Sequence, residues 1–276
     1  MSKLHIFIDG TWLFKVVEGH VFDRFLYKPQ NFELDFNKLN QLMLNHVAKQ
    51  HPECTEIGNC YFVTSIFELP TDFDTWVGRK IKNLYTDKSI TVSANNISTT
   101  RNVIADREAF AKSAIEAGYD EECLFKVPLQ EWMLLNLLHP KLKYQEKQVD
   151  TTVVALLVRD AIENPDDCFA LVAGDADILP AIKVAYPSYT KNVFPVLTSP
   201  DEREGHNRQT SFKYSQHEFE IDTLVLQSHV GEIMKGDNVY QCTNCHKYFS
   251  TRNPISEHKI KSGAILPRCQ SCYRGR

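Results

Sequence analysis

Apolar positions recur along the chain at two spacings. Leu4–Ile8 is a nearly continuous apolar run, the pattern of a strand buried on both faces, and Asp9-Gly10 then turns the chain. Phe36, Leu39, Leu42, Met43 and Val47 mark a helical stripe from Phe36 to Ala48, with Asp35 as a suitable cap. Asn59–Ile66 predicts the next strand. Thr71 and Asp72 can cap a helix running to about Leu84, and Arg107 to Ala117 predicts another before the stop at Gly118. Leu124–Leu129 is the third predicted strand. Val149, Val153, Leu156, Leu157 and Ala161 give a helix from Gln148 to Ile162, ending before Asn164-Pro165. Cys168–Val172 and Val193–Leu197 are two further strands, separated by a short helix from Leu179 to Ala185 in which Pro180 suits the first turn. Strands alternating with helices predict an α/β domain whose mainly parallel sheet is covered on both sides. Ser199 to Arg208, rich in Asp, Glu and Arg, reads as a loop near the same edge of the sheet.

Composition sharpens the picture in one place. The 276 residues are 43% hydrophobic and 24% charged, enough for one large domain with an appendage. Charge is unevenly placed. From Lys235 to Arg276 there are eight Lys or Arg and two acidic side chains, a balance of +6 against −10 for the rest of the chain. An acidic body with a basic tail points to a polyanionic partner for the tail. No apolar run reaches the roughly 18 residues of a membrane span, and Met1-Ser2-Lys3 leads straight into a strand, so no membrane association and a cytoplasmic location are expected.

Of eight cysteines, four cluster at the C-terminus. Cys242-Thr243-Asn244-Cys245 and Cys269-Gln270-Ser271-Cys272 form C-x2-C pairs with 23 residues between them, close to structural zinc spacing. Four thiolates close a tetrahedral Zn²⁺ site with no open position, so that ion would fold the tail and would not catalyse. The tail resembles a zinc ribbon. His246 and His258 are alternative ligands, less needed once four cysteines are present. Lys247, Arg252, Arg268 and Arg274 lie among Tyr240, Tyr248, Phe249 and Tyr273, a mixture suited to single-stranded nucleic acid; Tyr248 and Phe249 serve equally well as the ribbon's own small core. Cys54, Cys60, Cys123 and Cys168 read as buried apolar residues without a catalytic His partner.

The remaining chemistry is carboxylate. Asp9 follows the first strand, Asp150 opens the helix at Val149-Asp150-Thr151, and Asp175 and Asp177 follow the strand ending at Val172. Carboxylates at the C-terminal ends of parallel strands face the crevice where open α/β sheets bind ligands. Mg²⁺ or Mn²⁺ takes hard oxygen ligands and keeps several waters, so such a set can hold one ion or two. Taken singly, each has a plainer role: Asp150 as a helix N-cap, Asp177 as cap of the helix near Pro180, Asp9 in an Asx-turn.

The order Phe7-Ile8-Asp9-Gly10, Lys147-Gln148-Val149-Asp150 and Ala173-Gly174-Asp175-Ala176-Asp177-Ile178 resembles the NYN domain, a branch of the PIN-like nuclease superfamily, over roughly residues 1–225. The last motif is similar to that family's Ser-Gly-Asp-Ser-Asp-Phe and the middle one to Lys-Gly-Val-Asp. Where family members often carry Asn three positions after the first Asp, this chain has Trp12. The resemblance implies a Rossmann-like three-layer fold and a metal-dependent endoribonuclease leaving 5′-phosphate and 3′-hydroxyl ends. Its expected division is a nuclease domain over residues 1–230, a linker over 231–238 and the ribbon over 239–276. On this reading Asp9, Asp150 and Asp175 coordinate Mg²⁺ or Mn²⁺, Asp177 coordinates or orients water, Lys147 neutralises phosphate charge and Thr11 donates to phosphate. RNA is the expected partner. DNA as substrate, or a non-catalytic module whose ribbon recruits nucleic acid or a protein, are the alternatives.

Overall fold

The computed structural model describes residues 2–18, 32–84, 94–131, 133, 148–198, 213–246 and 248–274. Its centre is a six-stranded sheet made of β1 (Ser2–Asp9), β2 (Cys54–Glu68), β3 (Leu124–Pro128), β4 (Cys168–Val172), β5 (Val193–Leu197) and the two-residue β6 (Leu224–Val225). The strand order is β3-β2-β1-β4-β5-β6, and every pairing is parallel. Chain order runs outward from β1 on one side and from β4 on the other, so the sheet reverses direction between these two neighbours.

Helices cover both faces. On one lie α1 (Gly10–Glu18), α2 (Phe36–Val47) and α4 (Ala94–Glu116), whose Leu13, Val16, Leu39, Met43 and Ala111 pack with Leu4, Ile6, Ile8, Phe62 and Val172 of the strands. On the other lie α5 (Gln148–Glu163) and α6 (Leu179–Ala185), with Val153, Leu157 and Ile182 against Phe7, Val63, Phe169 and Leu171. The period-two alternation of β1 explains the split: Ile6 and Ile8 face one layer, Phe7 the other. Because both faces are covered, β4 and β5 are buried at every position, which is why they read as unbroken apolar runs. A third cluster, with Phe73 and Val77 from α3 (Phe73–Leu84) and Ile104 from α4, closes the β2–β3 edge around Phe67 and Leu129.

Two elements depart from the sequence reading. Gly10 opens a helix instead of a simple turn, because the Asp9 carboxylate accepts from the Trp12 backbone N–H at 2.9 Å and caps α1. Helix α4 starts at Ala94, well before Arg107; its first half is rich in Asn, Ser and Thr, which favour caps and turns over helix interiors and so conceal it. Asp35 does cap α2, accepting from Lys38 N–H at 3.1 Å.

The one-turn α7 (Tyr189–Asn192) precedes β5; after β6 come the one-turn α8 (Val230–Ile233), the antiparallel hairpin β7 (Val239–Gln241) and β8 (Tyr248–Ser250), then α9 (Glu257–Lys261) and α10 (Gln270–Arg274). The start of the expected linker is built into the body. Val230, Ile233 and Met234 are buried, Leu34 bridges to Met234, and Lys38 Nζ donates to the carbonyls of Met234 and Gly236 at 3.0 and 2.7 Å. Tyr248 lies against Gly231 so closely that a Cβ there would meet the ring at 2.7 Å. The hairpin is therefore seated on α8. The loop expected from Ser199 to Arg208 lies outside the described residues.

Candidate functional site

The C-terminal edge of the sheet collects the sequence's acidic positions. Asp9 ends β1 one residue past the Ile8–Val172 pairing with β4, opposite Val63 of β2, and is 8% exposed. Asp175 and Asp177 follow the end of β4. Helix α5 leads into β4, packs along β1 and β2, and touches the turn Ala176–Ile178. It runs against the strands, so its first turn, with half-buried Asp150, lies at the same edge. This edge is the reversal point between β1 and β4, where open α/β sheets leave a crevice for ligand.

The local chemistry of each aspartate differs. Asp9 is held by its cap to Trp12. Asp175 is exposed, and its carboxylate accepts from Asp177 N–H at 3.0 Å, closing a 3₁₀ turn over Ala176–Ile178. Desolvation raises the carboxyl pKa of exposed Asp177, and the charge of Asp175 beside it adds to the rise. Asp150 is the third residue of α5, inside the first turn and not at a cap, and α6 has no side-chain cap at its start, so Asp177 does not fill that role. Asp9 accepts from the residue three positions on, as a helix N-cap does, and Asp175 from the residue two positions on, as in an Asx-turn.

Among the described residues, the aspartates do not form a group of three with ligand oxygens mutually within 4.8 Å. An ion at this edge would thus engage the carboxylates partly through its own waters, as Mg²⁺ commonly does. Lys147 lies outside the described residues.

Three residues of this edge escaped the sequence reading or took a new role in it. Thr11, buried in the first turn of α1, shares a hydroxyl hydrogen bond of 3.1 Å with Thr64 of β2, placing a second hydroxyl next to Asp9; nothing in the sequence marks Thr64. Trp12 is half-buried, packs on the core, and its indole occupies the space a Cβ at position 174 would need. That contact gives Gly174 its reason: only glycine admits the ring there. Beneath this loop the buried Tyr214 hydroxyl donates to the Ala173 carbonyl at 2.6 Å.

The tail brings its four cysteines together. The sulfurs of Cys242, Cys245, Cys269 and Cys272 lie within 4.8 Å of one another, and Cys245 and Cys269 are 3.6 Å apart. A tetrahedral ion with bonds of about 2.3 Å separates its thiolates by roughly 3.8 Å, so the set fits a metal such as zinc. Although desolvation opposes it, the Cys242 thiol is pulled down to about 6 by backbone N–H groups of Cys269, Cys245 and Asn244; the Cys269 N–H donates to its sulfur at 3.4 Å. His246 takes a left-handed φ of 58° as the chain doubles back, and its N–H donates to Cys242 O at 2.9 Å. Neither His246 nor His258 joins the ligand group.

Around the cysteines the aromatic side chains have separate tasks. Tyr240 and Phe249 meet as tilted rings 6.2 Å apart, and the Tyr240 hydroxyl accepts from Ile255 N–H at 2.6 Å, so both belong to the appendage's frame. Tyr248 is spent on the seam with Gly231. Tyr273 stays 74% exposed on α10, with Arg274 next to it. Arg252 and Arg274 are exposed, Arg268 is half-buried, and Lys247 lies outside the described residues.

The fold and tail define a parallel α/β protein with a metal-capable four-cysteine appendage. Compared with family models, curated proteins and solved structures, the chain matches none. No helix among the described residues is long and apolar enough to cross a membrane.

Proposed function

We propose that the protein is a divalent-metal-dependent endoribonuclease of the NYN, PIN-like type, with a zinc ribbon that helps hold the RNA. The observation that supports this reading is that Asp9, and Asp175 with Asp177, follow the ends of the adjacent strands β1 and β4 at the reversal point of a 3-2-1-4-5-6 parallel sheet, with Asp150 in the first turn of α5. Asp9, Asp150 and Asp175 hold Mg²⁺ or Mn²⁺ directly or through water, and Asp177 binds or orients a water. When bound, the ion makes water a competent nucleophile and offsets charge on the leaving oxygen of an in-line displacement. Thr11, positioned by its hydrogen bond to buried Thr64, donates to a phosphate, and Lys147 supplies positive charge. Zn²⁺ on the four cysteines folds the ribbon, whose Arg252, Arg268, Arg274 and Lys247 meet the RNA backbone.

The test is cleavage of end-labelled single-stranded RNA and matched DNA by wild type and Asp175→Asn, in Mg²⁺, Mn²⁺ or EDTA. Metal-dependent RNA cuts by wild type alone are expected; metal-dependent turnover by Asp175→Asn would overturn the assignment, and cuts confined to DNA would change the substrate. A second reading, a nucleic-acid-binding module without turnover, draws on Asp9 and Asp175 already serving as backbone caps. It expects no cuts by a folded, zinc-loaded protein, and no Mn²⁺ binding that Asp9→Asn removes.

A further inference from the structure

We infer that Trp12 is a stacking platform for a nucleobase, which makes the site selective for single-stranded over double-stranded RNA. The inference rests on the nuclease reading for the class of ligand, and on the geometry of one side chain for the rest. Trp12 stands at the reversal point itself. Its backbone N–H is held by the Asp9 carboxylate at 2.9 Å, and its indole lies over Gly174, directly before Asp175. An aromatic residue, half-buried, thus lies beside the carboxylates that follow β1 and β4.

Two features separate this ring from ordinary core filling. A large aromatic residue in the first turn of an amphipathic helix is normally buried with its neighbours, as Leu13 and Phe14 are at 0% and 2% exposure, whereas Trp12 keeps exposed surface at the mouth of the crevice. The Asp9 cap holds the backbone that carries the ring, and the indole packs against Gly174 and the core, so it is placed before ligand arrives. A base can reach such a surface only when it is unstacked from its neighbours, which a single strand permits and a duplex resists. Stacking tolerates any base because every base has a π-face. The platform therefore selects strandedness, not sequence.

The chain has three tryptophans, so Trp76→Phe with Trp132→Phe leaves Trp12 as the only indole reporter. The experiment titrates this zinc-loaded full chain, carrying also Asp175→Asn to prevent turnover, with single-stranded oligouridylate and with an RNA duplex in Ca²⁺. Single strands are expected to quench the Trp12 emission and duplex to leave it nearly unchanged. Trp12→Leu should weaken single-strand affinity by about 5- to 150-fold, the range for losing one stacked base, while Trp12→Phe retains most of it and duplex affinity is unaltered. A merely structural Trp12 would instead lower thermal stability and weaken both ligands alike. Binding without quenching, and with equal affinity in Trp12→Leu, overturns the platform and leaves the nuclease reading intact. Quenching by a protein whose wild-type form never cuts RNA supports the platform and overturns the nuclease.

Discussion

The body and the ribbon solve the problem of folding in opposite ways. In the body, two apolar layers sandwich a sheet in which β4 and β5 have no exposed side chain. In the ribbon, from Val239 onward, the buried residues among those described are Cys242, Pro267 and Cys269. Among the described residues there, Pro267 is the one buried apolar side chain besides the cysteines, so the cysteine cluster stands where a core would be. About 40 residues seldom bury enough apolar surface to fold unaided, and a structural ion makes up the difference. On the proposed reading the two metals would do different work: zinc at the four cysteines would support structure, whereas an ion at the aspartate edge would contribute nothing the body's fold needs.

The largest effect that would break this contrast is zinc removal. Apparent binding energies of about 10–16 kcal/mol for structural zinc are folding energies, so chelation or Cys269→Ser should unfold the ribbon. Limited proteolysis should then cut after about residue 238, while the body's protected amides persist. Loss of the body's protection as well would show that the seam at Gly231 and Tyr248 binds the two into one cooperative unit. Leu171→Ala, at a fully buried β4 position, should lower the body's stability by about 2–5 kcal/mol, read in denaturant melts, with zinc content unchanged.

Gly174→Ala comes next. The new methyl meets the Trp12 indole, and overpacking of this kind costs about 1–3 kcal/mol. Combining it with Trp12→Ala should recover much of that loss in a double-mutant cycle, whereas simple additivity would mean that the two residues do not touch in solution.

The smallest effect is on pH. Burial lowers the pKa of His46, whose ring donates to the Asp222 carbonyl at 2.7 Å, and also that of His217, which shares a hydrogen bond of 2.6 Å with the Tyr189 hydroxyl. Both bind a proton more weakly in the fold than in the unfolded chain. Below the unfolded value of about 6.5 the unfolded chain takes up protons first. Body stability should therefore decline as pH falls through that value, more in wild type than in His46→Gln.

How much of this was legible follows from the range of the interactions. Strands β4 and β5 were read to the residue because burial on both faces leaves a continuous apolar run. Strand β2 was read short: its first residues, Cys54 to Gly58, mix polar with apolar positions yet pair with β1. Strand β6 is two residues long and carries no periodicity. The cysteine ligands were legible because each pair is local. The acidic edge was legible only as strand endings, since pairing of β1 with β4 is what unites Asp9 with Asp175. Thr64 and the Trp12–Gly174 fit depend on contacts across the fold, as does the buried set in which His5 meets Asp167 at 2.9 Å and Asn59 meets Asp160 at 2.8 Å; no local pattern announces them. Tyr240 and Tyr248 read in sequence as side chains on which bases could stack, Tyr248 equally as part of the tail's core; Tyr240 is hydrogen-bonded within the tail and Tyr248 packs against Gly231.

The most direct test of two metals with two tasks is a paired measurement of RNA cleavage at saturating substrate in Mn²⁺, comparing Asp175→Asn with Cys269→Ser. Asp175→Asn should lose turnover while retaining zinc and RNA affinity. Cys269→Ser should bind RNA more weakly yet cut at close to the wild-type maximal rate. Turnover surviving in Asp175→Asn, or vanishing in Cys269→Ser at saturation with the body still folded, would contradict that division.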